Sequence, residues 1–144
     1  MRQLPRQLPL SRGAGLFDAL VALAILSFGL LAMTRFQGRM VAQSTESQSR
    51  QTATQLSSEL LSTVLVDVNN AACYTLPQTG TCGNAGAITR TAEWATRTAA
   101  SMPGTVTTTS TLDSAAGRLR LVINWTGKQT GDTHTLDTIT DVRP

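Results

Sequence analysis

Two cysteines, Cys73 and Cys82, are the residues of this chain best placed for covalent chemistry. Pro77 and Gly80 lie between them and let the chain turn back, which would bring the thiols together. The pair forms no CxxC motif, and the one histidine, His134, is far away in sequence, so a zinc site lacks ligands. We therefore expect a disulfide in a domain exported to an oxidising compartment; the alternative is two unpaired thiols in a cytoplasmic loop.

The other residue types that could catalyse a reaction form no recognised motif. His134 stands in a threonine-rich stretch, where we expect a surface or edge-strand position. Serine and threonine are abundant, but the sequence contains no GxSxG motif and no glycine-rich phosphate loop. The following carboxylates show no recognisable pairing: Glu46, Glu59, Asp67, Glu93 and Asp113. The sequence therefore predicts a protein that is not an enzyme and that binds no cofactor and no metal.

The position of the charges argues against nucleic acid as a partner. A net charge of +3 and a pI near 9.5 would ordinarily favour an anionic partner. However, Arg2, Arg6 and Arg12 lie in the first 13 residues, which contain no acidic residue. The nine basic residues that follow are balanced by nine acidic ones. Arg118 and Arg120 lie beside no aromatic platform, so we expect them on a solvated strand face.

A long apolar run follows the basic segment. The residues from Ala14 to Met33 carry a single charge, Asp18. As a helix this run would be about 30 Å long, the thickness of a bilayer's hydrocarbon core. The arginines before it predict that the N terminus stays in the cytoplasm and that the rest is exported. The residues from Thr34 to Met40 contain no A-x-A pattern, which disfavours a conventional secretory signal.

Asp18 is the most informative residue of the run. A carboxylate at the centre of a membrane span costs about 2.5–3.5 kcal/mol on insertion scales, so something must offset it. Because Asp18 is only five residues into the run, it could reach the headgroup region or be protonated. That would be enough for an isolated membrane anchor.

The segment around Asp18 resembles the class III signal of type IV prepilins and pseudopilins. Arg12-Gly13 is followed by AGLFDALVALAILSFGLL; in that family a basic leader ends in Gly and the fifth mature residue is acidic. Cleavage after Gly13 would make Ala14 the first mature residue, with a methylated amine, and Asp18 the fifth. The family usually has Phe or another large residue first and Glu fifth. A competing cut after Gly15 would make Asp18 only the third residue.

This resemblance implies an assembly role for Asp18. Cleavage creates an α-amino group in a low-dielectric setting, and the Asp18 carboxylate of a neighbouring subunit would pair with it. The implied partners are other pilin and minor pilin subunits, the prepilin peptidase, the inner-membrane assembly machinery and membrane lipid. The implied location is the bacterial inner membrane, with the C-terminal domain in the periplasm, and then a pilus at the cell surface.

Within the superfamily the chain is most similar to PilV-type minor pilins. The residues that carry this are LVALAILSFGLL from Leu20, Trp94 followed by Met102-Pro103-Gly104, and VINW ending at Trp125. The resemblance implies a minor pilin needed for type IV pilus assembly or priming, and so for adhesion and twitching motility. Two alternatives are a pseudopilin of a type II secretion system and a single-pass, membrane-anchored exported binding module.

The remaining sequence predicts a long helix and a small sheet. From Thr34 to about Val68 there is no proline, so the helix continues. Its apolar residues recur every four positions and form a stripe to cover a sheet: Leu56, Leu60, Val64 and Val68, with Leu61 and Leu65 beside them. A second helix is predicted around Ile88 to Met102, with Thr89 or Thr91 near its start.

Three β-prone runs follow, beginning at Thr105, Gly117 and His134, and the turn sequences SAAG and TGKQTGD separate them. We therefore expect an α+β fold, with a long helix packed on a three-stranded antiparallel meander. The predicted regions are a basic leader (1–13), a transmembrane and assembly helix (14–35), the continuation of that helix (36–70), and a small exported α+β domain (71–144).

Overall fold

The computed structural model describes residues 14–127 and 131–143. Its elements follow in chain order: helix α1 (Ala14–Val66), a 3-10 helix (Val68–Tyr74), helix α2 (Ala85–Ser101), and strands β1 (Val106–Asp113), β2 (Arg118–Thr126) and β3 (Thr133–Asp141). This confirms the predicted α+β class. The chain divides into two units between Gln43 and Ser44. The leader and part of the predicted turn before β3 lie outside the described residues.

The first unit contains the apolar part of α1, up to Gln43. Every described side chain in it is exposed, including the largest apolar ones: Leu16 is 71% exposed and Phe28 is 74% exposed. α1 includes a stretch long and apolar enough to cross a membrane. Phe36 and Met40, which follow the apolar run, are also exposed.

In the second unit, α1 buries one stripe. Leu60 and Val64 are buried as predicted, whereas Leu56 and Val68 are only partly buried. Leu65 is 51% exposed and points away from this core. The stripe shares one buried cluster with the sheet, so this part of α1 covers the sheet as the apolar periodicity indicates.

α1 ends at Val66, slightly before the predicted end. The N–H of Asp67 donates to the carbonyl oxygens of both Thr63 and Val64, at 3.1 and 3.2 Å. Such shared hydrogen bonds are common where an α-helix tightens into a 3-10 turn. Val68, predicted to belong to the long helix, therefore begins the 3-10 helix instead.

α2 begins at Ala85, earlier than the prediction around Ile88. The side chain of Asn84 accepts a hydrogen bond from the N–H of Ala87 at 3.2 Å and so caps the helix. Thr91, predicted near the start, lies inside the helix and donates to the Ala87 carbonyl at 2.8 Å. The cap, rather than the first threonines, sets the boundary.

Trp94 anchors α2 to the core of the second unit. Its side chain is 2% exposed, and its indole N–H donates to the carbonyl oxygen of Leu56 on α1 at 2.9 Å. A buried tryptophan with its polar atom satisfied contributes a large apolar area without an orphaned donor. Beyond the helix, Gly104 has a φ of +70° and lies so close to Thr126 that a Cβ would clash.

The sheet is the predicted antiparallel meander, in the order β1-β2-β3. Leu121 of β2 lies opposite Ser110 of β1 and Thr138 of β3. The buried side of β2 consists of Leu119, Leu121, Ile123 and Trp125. The predicted SAAG turn joins β1 to β2. The side chain of Asp113 accepts hydrogen bonds from the N–H groups of both alanines of the turn. The buried residues of β2 alternate with less buried ones along the strand, as expected when one face of a strand packs on a core.

Candidate functional site

Asp18 is a single carboxylate on an exposed apolar helix surface. It lies four residues after Ala14, the first residue of α1. Its neighbours one turn further along the same face are Val21 and Ala22. Within residues 14–127 and 131–143, the side chain of Asp18 makes no hydrogen bond or ion pair. Within those residues, no group of opposite charge compensates this carboxylate.

Ala14 places the predicted cleavage point at the start of the helix. Gly13, the predicted last residue of the leader, lies outside the described residues. The first N–H groups of a helix lack intrahelical partners and carry partial positive charge. An amine created before them by cleavage would add a full positive charge one helical turn from Asp18. The two groups proposed to pair therefore occupy the same end of α1.

The apolar surface that surrounds Asp18 extends over the whole first unit. Its exposed large side chains before residue 34 are Leu16, Phe17, Leu20, Val21, Leu23, Ile25, Leu26, Phe28, Leu30, Leu31 and Met33. Soluble monomers rarely expose a continuous apolar surface of this kind, which is typical of membrane or protein contacts. This segment therefore suggests a membrane anchor or a signal.

The two cysteines form the predicted disulfide. Cys73, in the 3-10 helix, is bonded to Cys82, and their Cα atoms are 5.1 Å apart. Within the closed loop, Leu76 exchanges two backbone hydrogen bonds of 2.9 Å with Ser110 of β1. The bond thus joins the end of the 3-10 helix to the segment just before α2, and the loop that it closes lies against the sheet. A disulfide suggests an extracytoplasmic domain.

His134 lies on edge strand β3, as expected, but its side chain is only 10% exposed. Its ring packs at a tilt against Trp125, with centroids 5.4 Å apart. Nε2 is 3.1 Å from a carboxylate oxygen of Asp132, and Nδ1 is 3.3 Å from a guanidinium nitrogen of Arg50. Glu46 lies 3.7 Å from Nδ1. These contacts between β3 and α1 connect residues far apart in sequence and could not be read from the strand.

A second polar cluster closes the end of α1. The carboxylate of Asp67 accepts hydrogen bonds from the Asn70 amide at 2.6 Å and from the Tyr74 hydroxyl at 2.9 Å. Arg90 of α2 donates to the same hydroxyl at 3.2 Å. The hydrogen bond from Asn70, and next that from Tyr74, hold the pKa of Asp67 below its ordinary value. The cluster joins the end of α1 to α2, and no pattern of residue spacing indicates it.

The ion pairs of the second unit are also structural in character. Arg50 pairs with Glu46 and Arg97 with Glu59, both at 2.8 Å on exposed surfaces. Arg120 contacts Asp137 across the open face of the sheet and holds the pKa of that carboxyl below its usual range. Arg120 therefore lies on a solvated, ion-paired strand face.

The described part of the chain offers no arrangement suited to metal binding. Across residues 14–127 and 131–143, no group of three or more His, Cys, Asp or Glu side chains could hold a metal ion. Both cysteines are used in the disulfide.

Comparison of the chain with protein-family models, with curated proteins and with solved structures found no match.

Proposed function

We propose that this chain is the precursor of a minor pilin, processed by a prepilin peptidase after Gly13 and required for the assembly or priming of a type IV pilus. The observation that carries the proposal is Asp18, a carboxylate without a partner in the described residues, on an exposed apolar helix one turn from Ala14. The resemblance to type IV prepilins suggests the family. The position of Asp18 on an exposed apolar helix gives a physical reason for a role in assembly.

The same apolar surface would serve in two environments. Before assembly, lipid covers it; in a fibre, the helices of neighbouring subunits cover it instead. Apolar contacts are non-directional and would leave the axial register of the subunits poorly defined. A buried carboxylate changes this, because a subunit docked in the wrong register leaves Asp18 desolvated and unpaired.

The second unit suits display on the exported side. Its core includes one face of the sheet, a stripe of α1 and Trp94 of α2, and the disulfide fastens the loop before α2. Such a domain can fold in the periplasm while the apolar segment remains in the membrane. In this proposal it contacts other pilin subunits, and no enzymatic role is assigned to it.

The proposal is tested by the mature N terminus. The full chain is produced in a bacterium that has a pilus system and its peptidase, and its intact mass and N-terminal sequence are measured from membranes and from sheared pili. We expect a chain that begins at Ala14 with a methylated amine. Gly13→Val should accumulate as the full-length precursor, because a side chain at the scissile position blocks the peptidase.

Gly15→Val is the matched control, since it makes the same change two residues away and should still be processed. A mature chain that starts at Leu16, or mature protein from Gly13→Val, would show that the assigned cleavage site is wrong. An unprocessed chain in wild-type cells would favour the anchored binding module. Processing together with loss of protein secretion on gene deletion, and absence from pili, would favour the pseudopilin.

A further inference from the structure

The arginines of residues 14–127 and 131–143 fall into two groups. Six have a carboxylate or carbonyl partner in the protein: Arg50, Arg90, Arg97, Arg118, Arg120 and Arg143. Within the same described ranges, the side chains of Arg35 and Arg39 make no hydrogen bond or ion pair. Both side chains are exposed on α1. These two cations therefore have no partner within the described residues.

Their spacing concentrates the charge. Arg35 and Arg39 are four residues apart on a helix, so they lie on one face and repel each other. The sequence between Asp18 and Glu46 contains no acidic residue that could offset them. A bound anion that contacts both guanidinium groups would relieve this repulsion.

Exposed apolar side chains accompany the pair. Phe36 is 62% exposed and Met40 is 57% exposed, and they too are one helical turn apart. They continue the apolar surface that reaches Met33. A helical segment that presents two arginines beside an aromatic and a thioether side chain is suited to a membrane interface.

The distance from the apolar run fits the headgroup region. Arg35 is two residues and Arg39 six residues beyond Met33, which corresponds to about 3 and 9 Å along the helix axis. The interfacial layer on each side of a bilayer is roughly 5–8 Å thick. Arg39 begins just beyond this layer, but side chains on a helix lean toward its N terminus, which here is the membrane side. If the apolar run spans the membrane, both guanidinium groups can therefore reach lipid phosphates.

We propose that Arg35 and Arg39 bind the phosphate of an anionic phospholipid in the leaflet on the exported side, with Phe36 and Met40 at the glycerol level. This rests on the membrane insertion assumed in the proposed function. Guanidinium groups form paired hydrogen bonds to phosphate oxygens. In a zwitterionic lipid the headgroup's own cation neutralises the phosphate charge, so an anionic lipid should bind more strongly. The site fixes the depth of the subunit in the membrane until it is withdrawn into a fibre.

The test is lipid selection by the intact chain. Purified full-length protein in detergent receives equal amounts of phosphatidylglycerol and phosphatidylcholine, and the bound lipids are counted by native mass spectrometry. We expect phosphatidylglycerol to be preferred by about tenfold or more, the size expected when two arginines face anionic headgroups. The preference should fall as ionic strength rises.

R35Q/R39Q should lose this preference. R97Q/R118Q is the matched control, because it removes the same charge from exposed ion pairs elsewhere and should keep the preference. Equal loss in both variants would assign the effect to net charge and overturn the site. Retention of the preference in R35Q/R39Q would also overturn it.

Two further measurements distinguish a lipid phosphate from free phosphate, and loss of lipid selection from loss of membrane insertion. Inorganic phosphate that displaces the lipid at equal concentration would show a site for free anions and overturn the lipid proposal. Resistance of each variant to alkaline extraction from vesicles reports insertion independently. A chain that inserts but selects no lipid disproves this inference alone, whereas one that does not insert disproves the anchor as well.

Discussion

Leu23 and Leu60 lie on the same α-helix, yet Leu23 is 61% exposed and Leu60 is 3% exposed. Up to Gln43, apolar residues predominate on all sides of the helix and none is buried within the chain. From Ser44 onward most positions are polar and one stripe is buried. A helix that is apolar all round needs an external partner, whereas a striped helix needs only one surface to cover it.

This difference separates two kinds of stability. Burial of Leu60 contributes to folding, because its apolar area leaves water when the domain forms. The apolar area of Leu23 contributes nothing within the isolated chain, and its free energy is released only on contact with lipid or another subunit. Substitutions in the two regions should therefore affect different measurements.

The largest expected effect is that of Asp18→Ala on assembly. Leaving the partner amine unpaired in a fibre core costs about 3–5 kcal/mol, or roughly 100-fold or more in incorporation. Membrane insertion should be unaffected, since removing a charge makes insertion easier. The measurement is the fraction of each variant in sheared fibres relative to its amount in the inner membrane.

Asp18→Glu is the control for the charge, and it should be incorporated at least as well as the parent because its longer side chain reaches further. Equal incorporation of Asp18→Ala and the parent would remove the assembly role of the carboxylate. The isolated-anchor interpretation of Asp18 would then be preferred.

A matched pair of leucine truncations should show the two regions directly. Leu121→Ala, at a side chain that is 1% exposed, should lower the free energy of unfolding by about 2–5 kcal/mol. Leu23→Ala should change it by less than about 0.5 kcal/mol, because the side chain is exposed. Urea unfolding of the full chain in detergent, followed by tryptophan fluorescence, measures both. Similar losses would contradict the separation of the two regions.

The disulfide should have an intermediate effect confined to the second unit. Replacing Cys73 and Cys82 together by serine should lower the free energy of unfolding by about 2–3 kcal/mol, since the closed loop is short. Insertion of the apolar helix should not change. Mass spectrometry without reductant verifies the bond in protein exported by its native route, and two free thiols there would reject it.

The smallest expected effect is a pH dependence at Asp67. The pKa of this carboxyl is lowered from 3.8, mainly by the Asn70 amide and then by the Tyr74 hydroxyl, with a smaller contribution from Arg90. Its stabilising contribution is present above the unfolded pKa and is lost as the pH falls through the lower folded pKa. The urea midpoint should thus fall less steeply below about pH 4 in Asp67→Asn, and Tyr74→Phe should lie between that variant and the parent. Identical slopes in all three proteins would contradict this assignment.

Much of this fold could be predicted because its elements are determined by residues close together in the sequence. The alternation of β2 and the stripe that contains Leu60 follow from helix and strand periods, and the disulfide followed from a short loop with turn residues. The position of α2 was less accurate, because Asn84 caps the helix through one hydrogen bond that no periodicity shows. The burial of His134 was missed for two reasons. It depends on the register of β2 and β3, which sets His134 opposite Trp125, and on α1, whose Arg50 and Glu46 lie beside its ring.

The loop held by the disulfide also covers part of one edge of the sheet. Its two backbone hydrogen bonds between Leu76 and Ser110 occupy part of the β1 edge, which is one of the two ends of the sheet. Open sheet edges offer unpaired N–H and C=O groups to other chains and promote aggregation. In a reduced chain this loop would detach more readily, and the β1 edge would then be open in addition to the β3 edge. The bond between Cys73 and Cys82 thus helps to keep this part of the β1 edge covered.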